Sequence, residues 1–122
     1  MNNPEDWIKG AKLISRETDV RVILHTSHFA ASVVGDDVVS VPTFQVETKI
    51  ACGSGDAFNA GLIYGLLLDL EHIEQLVLAN SVAALYISSH DSNHPSRNDV
   101  ISFLKSNPAV SSSGKKLLMG QL

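Results

Sequence analysis

Three small residues constrain this chain most, because they stand directly before the most apolar stretch of the sequence. Gly53, Ser54 and Gly55 are followed by Asp56 and then by a largely apolar segment that ends near Leu68. Small residues allow a sharp turn and a close approach of the backbone to a ligand. The apolar segment is predicted to be a helix that is apolar nearly all round and therefore buried. The pattern predicts a turn that opens directly into a helix.

A turn that opens into a helix is a favourable place for an anion. The first backbone amides of a helix have no partner within it, and the helix dipole concentrates positive potential at the same point. Phosphate is the commonest ligand of such a point. Asp56 follows directly, and its carboxylate could accept a proton from a hydroxyl group during phosphoryl transfer. The same residues also fit an ordinary tight turn in which Asp56 only caps the helix.

Patterns elsewhere predict an α/β chain with a partial β-sheet, one hairpin and packed helices. Asn3-Pro4 is typical of a helix start, and Gly35-Asp36-Asp37 is typical of a hairpin turn. The β-branched run from Val20 to His25 predicts a buried strand. The predicted order is a helix over 4–16, a strand over 20–25, a hairpin of 31–34 and 38–41, a strand over 44–47, and three helices that start near residues 56, 71 and 96.

The predicted helices carry a few residues of special interest. Gly61 and Gly65 share one face, which predicts close packing against a sheet. Asn80 falls on an apolar stripe, where a core amide bonded to the backbone is the simplest interpretation. Ser96 and Asp99 have the spacing of a capping box.

Composition limits the class of protein. The chain has 122 residues, 44% of them hydrophobic and 18% charged, with a net charge of -4. A chain of this length allows one compact core, and the polar segment from Pro108 onward predicts a flexible tail over 108–122. Scattered basic residues argue against a nucleic-acid partner, and the lack of a long apolar run argues against a membrane. A single cysteine and the absence of a signal-peptide pattern predict a cytoplasmic location.

The segment from Gly53 to Leu62 reads Gly-Ser-Gly-Asp-Ala-Phe-Asn-Ala-Gly-Leu. It resembles the C-terminal signature of ribokinase-like (PfkB-type) sugar kinases, whose usual pattern is Asp-Thr-x-Gly-Ala-Gly-Asp-Ala-Phe-x-Ala-Gly. The segment 79–84 reads Ala-Asn-Ser-Val-Ala-Ala and is similar to the next helix of that family. The resemblance extends over residues 19–104 and implies the C-terminal part of a ribokinase-like fold. It also implies that residues 1–107 are the nucleotide- and phosphate-binding part of a ribokinase-like kinase domain.

The resemblance also implies an activity and a set of site residues. It implies ATP-dependent phosphorylation of a sugar or sugar-like alcohol, with Asp56 as catalytic base and Mg²⁺ bound through the nucleotide. The implied anion hole, which binds the transferred phosphate, consists of Gly53, Ser54 and Gly55. The implied nucleotide-binding residues are Asn80, Thr26 and His28.

Two segments depart from the family pattern. Ile50-Ala51 replaces the family's Asp-Thr, whose carboxylate helps to hold a monovalent cation, so the resemblance does not extend to activation by potassium. The strand end, normally Thr-x-Gly-x-x-Gly, has His28 and Ala31 in place of the glycines. His28 and Phe29 would either crowd an ATP molecule or stack on its base.

Family members are much longer, and their N-terminal half supplies the sugar-binding residues and much of the sheet. The alternative function is therefore a non-catalytic fragment or degenerate paralogue that binds nucleotide weakly or pairs with another chain. An unpaired sheet edge and apolar surface would also favour association into a homo-oligomer.

The remaining candidates are single residues or incomplete sets. His90, Asp91 and His94 have a spacing that could hold a metal, but no further ligand is evident, so a solvated loop is the preferred interpretation and no protein-bound metal is predicted. Cys52 borders the predicted anion site, where a reactive thiolate is one interpretation. A small buried filler is the preferred interpretation of Cys52.

Overall fold

A computed structural model describes residues 3–50, 52–89 and 93–107 of the chain. The chain divides into two compact units, Met1–Thr43 and Phe44–Leu122. No helix in the described ranges is long and apolar enough to cross a membrane. That residues 1–107 form the C-terminal part of one kinase domain stays a prediction, and the predicted flexible tail lies outside the described residues.

The first unit begins with a helix, α1, over Pro4–Thr18. The side chain of Asn3 caps it by accepting a hydrogen bond of 3.0 Å from the amide of Glu5, and Pro4 occupies the first helical position. Asp19 ends the helix in the left-handed conformation, with φ at 55°. The predicted start is confirmed, and the helix runs two residues further than the sequence pattern indicated.

Three antiparallel strands follow, in the order β1 (Val22–His25), β2 (Phe29–Val34) and β3 (Asp37–Pro42). The hairpin of β2 and β3 is confirmed, with Gly35 in its turn at a φ of +57°. The central strand β2 is the most buried, and Ala30, Ala31 and Val33 are fully enclosed. The prediction that β1 is a buried strand is wrong, because β1 lies at the sheet edge and its residues are only half-buried.

The segment 44–50 forms no strand, so the prediction of a strand over 44–47 is wrong. A strand needs a neighbour with which to share backbone hydrogen bonds. Here the amides of Lys49 and Ile50 instead donate to the carbonyl of Ile87, over 2.6 and 3.0 Å. The segment is thereby tied to a helix end in the second unit.

The second unit contains three helices, α2 (Ser54–Leu67), α3 (His72–Ile87) and α4 (Arg97–Lys105). Their predicted positions are confirmed. Ser96 and Asp99 form the predicted capping box, with bonds of 2.8 and 3.1 Å between them. The core is centred on α3, whose residues from Glu74 to Ala79 are all buried.

Helices α2 and α3 pack against each other through the glycines of α2. A Cβ atom on Gly61 would lie 2.8 Å from the Cα atom of Ala79, and one on Gly65 would lie 3.1 Å from the Gln75 side chain. The glycines therefore pack against a helix and not against a sheet, which corrects the prediction. The prediction that α2 is buried all round is also wrong, since Ile63 is 56% exposed and Leu67 is 79% exposed. The α3 helix covers the opposite, glycine-containing face.

Candidate functional site

The turn before α2 has a backbone conformation that favours glycine. Gly53 is the N-cap of α2 and has a φ of 96° and a ψ of 0°, in the left-handed region. A side chain at this position would be strained by the backbone alone. A Cβ atom there would also lie 2.7 Å from the hydroxyl oxygen of Tyr86 and 3.1 Å from its ring. Glycine is required at position 53 for both reasons.

The first amides of α2 are available to a ligand. The first helical hydrogen bond runs from the amide of Ala57 to the carbonyl of Gly53, over 3.0 Å. In the described parts of the chain, no group accepts a hydrogen bond from the amides of Ser54, Gly55 or Asp56. Gly55 is exposed, and apart from its chain neighbours and the backbone of its own helix no described atom lies within 4 Å of the place where its Cβ would be. Three unused donors at one helix start are an arrangement that favours an anion, and their role as a phosphate site stays a prediction.

Asp56 lies in the first turn of α2, next to these donors. Its side chain is exposed and forms no hydrogen bond or ion pair with the described residues. The two residues that follow, Ala57 and Phe58, are 0% and 1% exposed and anchor the turn in the core. The carboxylate is therefore presented to solvent beside the open amides, where a hydroxyl group could reach it.

Cys52 is exposed, so its interpretation as a buried filler is wrong. It lies in the bend before the helix and not within a packed element. The metal candidate gains no support from the described residues, which contain no group of three or more His, Cys, Asp or Glu able to hold an ion. His90 and Asp91 lie outside those residues.

One residue beside the turn, Tyr86, escaped sequence reasoning, and His94, which the sequence suggested only as a metal candidate, packs on it. The ring of Tyr86, near the end of α3, contacts Gly53, and the ring of His94 stacks on it with centroids 5.0 Å apart and an interplanar angle of 23°. The sequence does contain a signal for the contact between α3 and Gly53. Gly53, Ala57, Gly61 and Gly65 recur at every fourth position and so form one small-residue face of α2. That face predicts close contact with α3 along its whole length, the turn included.

The predicted nucleotide-binding residues are distributed over both units. Asn80 is 3% exposed and lies within the buried part of α3. Thr26 and His28 belong to the first unit, where the Thr26 hydroxyl donates to the carbonyl of Phe29 and accepts from the amides of both His28 and Phe29. His28 itself is exposed. Their role in nucleotide binding stays a prediction.

Two cavities in the second unit lie apart from the turn. One, of about 480 Å³, lies between the end of α3 and α4, and the other, of about 300 Å³, lies between α2, α3 and the start of α4. Neither is lined by residues 53–56 or by Asn80. The candidate site is consequently an open surface turn, and its chemistry comes from backbone amides and one carboxylate.

A model of the prokaryotic ketohexokinase family matches residues 2–107. The chain belongs to this family. The predicted membership of the ribokinase-like carbohydrate kinases is thereby confirmed. A search of curated proteins found no match.

The fold of this ketohexokinase-family chain is similar to that of an E. coli protein described as ribokinase II, solved by crystallography in its apo form. The TM-score is 0.70 at 21% sequence identity, and the match covers 87% of this chain. It covers 34% of the E. coli chain, so the present chain spans about a third of that protein's length. The predicted partial ribokinase-like fold is confirmed.

Proposed function

We propose that this chain forms the phosphate-binding and base-bearing part of a kinase that phosphorylates a sugar or sugar-like alcohol with ATP. The observation that carries the proposal is the turn at residues 53–56, where unused amides and an exposed carboxylate share the start of one helix. Family membership supports the same reaction class. Because the family is that of ketohexokinases, a ketohexose is the first substrate to test.

In the proposed reaction the sugar hydroxyl oxygen attacks the γ-phosphorus of ATP, and the bond from that phosphorus to the β–γ bridging oxygen breaks. The amides of Ser54, Gly55 and Asp56 donate hydrogen bonds to the transferred phosphoryl group, whose negative charge they stabilise at no cost in reorganisation. The Asp56 carboxylate accepts the hydroxyl proton. Mg²⁺ would be bound through the nucleotide phosphates and would supply neutralisation of their charge. The products are a sugar phosphate and ADP.

Asp56→Asn tests the proposed base. The substitution keeps the size and polarity of the side chain but removes its ability to take a proton. We expect ADP release with a responsive sugar to fall by about 10²- to 10⁴-fold, the usual contribution of a general base. Affinity for ATP·Mg²⁺, measured by calorimetry, should change little because the amide donors remain.

Asp69→Asn is the matched control. Asp69 is also an exposed aspartate of the second unit, and asparagine tolerates its left-handed backbone at a φ of 55°. This variant should release ADP at the wild-type rate. If Asp56→Asn also turns over at the wild-type rate, Asp56 is not the base.

A second candidate function is nucleotide binding without turnover, alone or in association with another chain. It is favoured by Ile50, which stands where the family pattern has a cation-binding aspartate. Binding of ATP·Mg²⁺ with no ADP release from any sugar in a panel of ketoses, aldoses and polyols would favour this candidate.

A further inference from the structure

We propose that Tyr86 is a positioning residue of the anion-binding turn at residues 53–56. Its ring supports the left-handed turn at Gly53 and so fixes the direction in which the first amides of α2 point. The inference rests on the proposed function, because those amides matter only if they bind a phosphate. It adds a residue that lies outside the signature segment and acts without touching the ligand.

The contact between Tyr86 and Gly53 is tight. The place of a Cβ atom on Gly53 is 2.7 Å from the Tyr86 hydroxyl oxygen and 3.1 Å from two ring carbons, Cε1 and Cζ. Real Cβ atoms do not approach other atoms as closely as the first of these distances. The tyrosine therefore occupies the volume that any other residue at position 53 would need, and it leaves the turn little room to move toward α3.

Tyr86 is itself held in place. Its ring stacks on His94, with centroids 5.0 Å apart. The adjacent residue, Ile87, accepts hydrogen bonds from the amides of Lys49 and Ile50 through its carbonyl oxygen. The C-terminal end of α3 thus contacts this part of the chain at two points. One is residues 49–50, which precede the anion-binding turn, and the other is Gly53, within it. This makes the end of α3 a fixed support for the turn.

The direction of the amides depends on Gly53 because Gly53 is the N-cap. Its φ and ψ angles set the angle at which the chain enters the helix, and the amides of Ser54, Gly55 and Asp56 follow directly. Hydrogen-bond donors for a transferred phosphate must be placed to within a fraction of an ångström, and small displacements are costly in rate and affinity. Loss of the tyrosine ring should therefore weaken phosphate binding although the ring itself is not a ligand.

The test compares Tyr86→Ala, which removes the support, with Tyr86→Phe, which keeps the ring and its stack on His94. ATP·Mg²⁺ affinity, measured by calorimetry, should fall about tenfold or more in Tyr86→Ala, as expected for misplaced charge-binding donors. It should remain within about twofold of wild type in Tyr86→Phe, a change below one ordinary hydrogen bond. Tyr64→Ala, at an exposed tyrosine of α2, is the matched control and should leave affinity unchanged.

A double-mutant cycle with Gly53→Ala separates positioning from general damage. Gly53→Ala alone introduces a clash with the tyrosine, and in the Tyr86→Ala background that clash is gone. The two substitutions should therefore be non-additive in ATP·Mg²⁺ affinity, as is usual for residues in contact. Additive effects would overturn the proposal, and so would an equal loss in Tyr86→Phe and Tyr86→Ala.

Hydrogen exchange provides a readout without nucleotide. The amide of Ala57, which bonds to the carbonyl of Gly53, should exchange several-fold faster in Tyr86→Ala than in wild type or Tyr86→Phe. Unchanged exchange at Ala57 would overturn the role of Tyr86. If instead wild type fails to bind ATP·Mg²⁺ while Ala57 exchange responds as expected, the proposed function fails and the positioning of the turn by Tyr86 is retained.

Discussion

Gly53 and Tyr86 illustrate how single residues define the candidate site. The signature segment by itself accounts for glycine at position 53 through its left-handed φ of 96°. The structure adds a second reason, the contact with a tyrosine 33 positions later in the chain. The open donors and the exposed Asp56 could be predicted from local sequence, because they depend only on where a helix starts. The small-residue face of α2 predicts that α3 lies close to the turn, but which side chain of α3 contacts Gly53 depends on helix packing and could not be read from the sequence.

His25 gives the first unit a predictable response to pH. This residue lies in β1 and is half-buried, and burial lowers the pKa of its imidazole from the ordinary value of 6.5. The folded state therefore prefers neutral His25 more than the unfolded state does, so the unfolded state binds more protons as the pH falls. The stabilising contribution is fully present above pH 6.5 and is lost as the pH decreases through 6.5 toward the lower folded value.

We therefore expect the free energy of unfolding to decrease between pH 7 and pH 5, and His25→Gln to flatten this decrease. Urea unfolding at a series of pH values measures both. If the free energy of unfolding decreases between pH 7 and pH 5 as steeply in His25→Gln as in wild type, His25 is not the group responsible for that decrease.

The carboxyls of Asp99 and Asp36 act in a separate pH range. Hydrogen bonds from Ser96 lower the pKa of the Asp99 carboxyl from its ordinary value of 3.8. The Arg16 side chain lowers the pKa of Asp36 from the same value. The stabilising contributions of these two carboxylates to folding are therefore lost only as the pH falls below 3.8.

At the scale of elements, the close packing of α2 on α3 depends on the absence of side chains at two positions. A methyl group on Gly61 would lie 2.8 Å from the backbone of Ala79 and 3.0 Å from Val82 Cγ2. Backbone cannot move aside as a flexible side chain can, so the two helices would have to separate. Overpacking of this kind usually costs about 1–3 kcal/mol.

Gly61→Ala should therefore lower the free energy of unfolding even though alanine is the better helix former. Gly10→Ala is the matched control, because Gly10 lies within α1 and no atom lies within 4 Å of its Cβ position. There the helix propensity of alanine acts alone and should raise stability by about 0.5–1 kcal/mol. The change in the free energy of unfolding, measured by chemical unfolding, should be negative for Gly61→Ala and positive for Gly10→Ala. A Gly61→Ala variant that is more stable than wild type would show that α2 and α3 are not in close contact.

The helices and the hairpin could be predicted because their signals are local. Asn3-Pro4, Ser96 with Asp99, and Gly35 each specify a cap or a turn with residues adjacent in sequence. The burial of the elements could not be predicted in this way. Burial depends on which elements are neighbours in space. This decides the helix that packs on the Gly61 face, the edge position of β1 and the absence of a strand over 44–47.

At the scale of the whole molecule, α2 exposes an apolar surface in the described part of the second unit. Ile63, Leu66 and Leu67 are 56%, 49% and 79% exposed. Their spacing of three and four residues places them on one helix face. Exposed apolar side chains grouped on one face are typical of surfaces that bind another protein chain. We expect the isolated chain to associate with itself through this face, in keeping with the homo-oligomer expected from the sequence.

Leu67→Lys tests the role of this face, because it places a charge on its most exposed residue without removing a buried contact. The fraction of associated chain, measured by sedimentation equilibrium over a range of concentrations, should decrease. Leu13→Lys is the matched control, since Leu13 is 57% exposed on α1, outside this face. If both substitutions reduce association equally, charge alone is responsible and the α2 face has no special role. If wild type is monomeric throughout, the exposed leucines do not drive association at all.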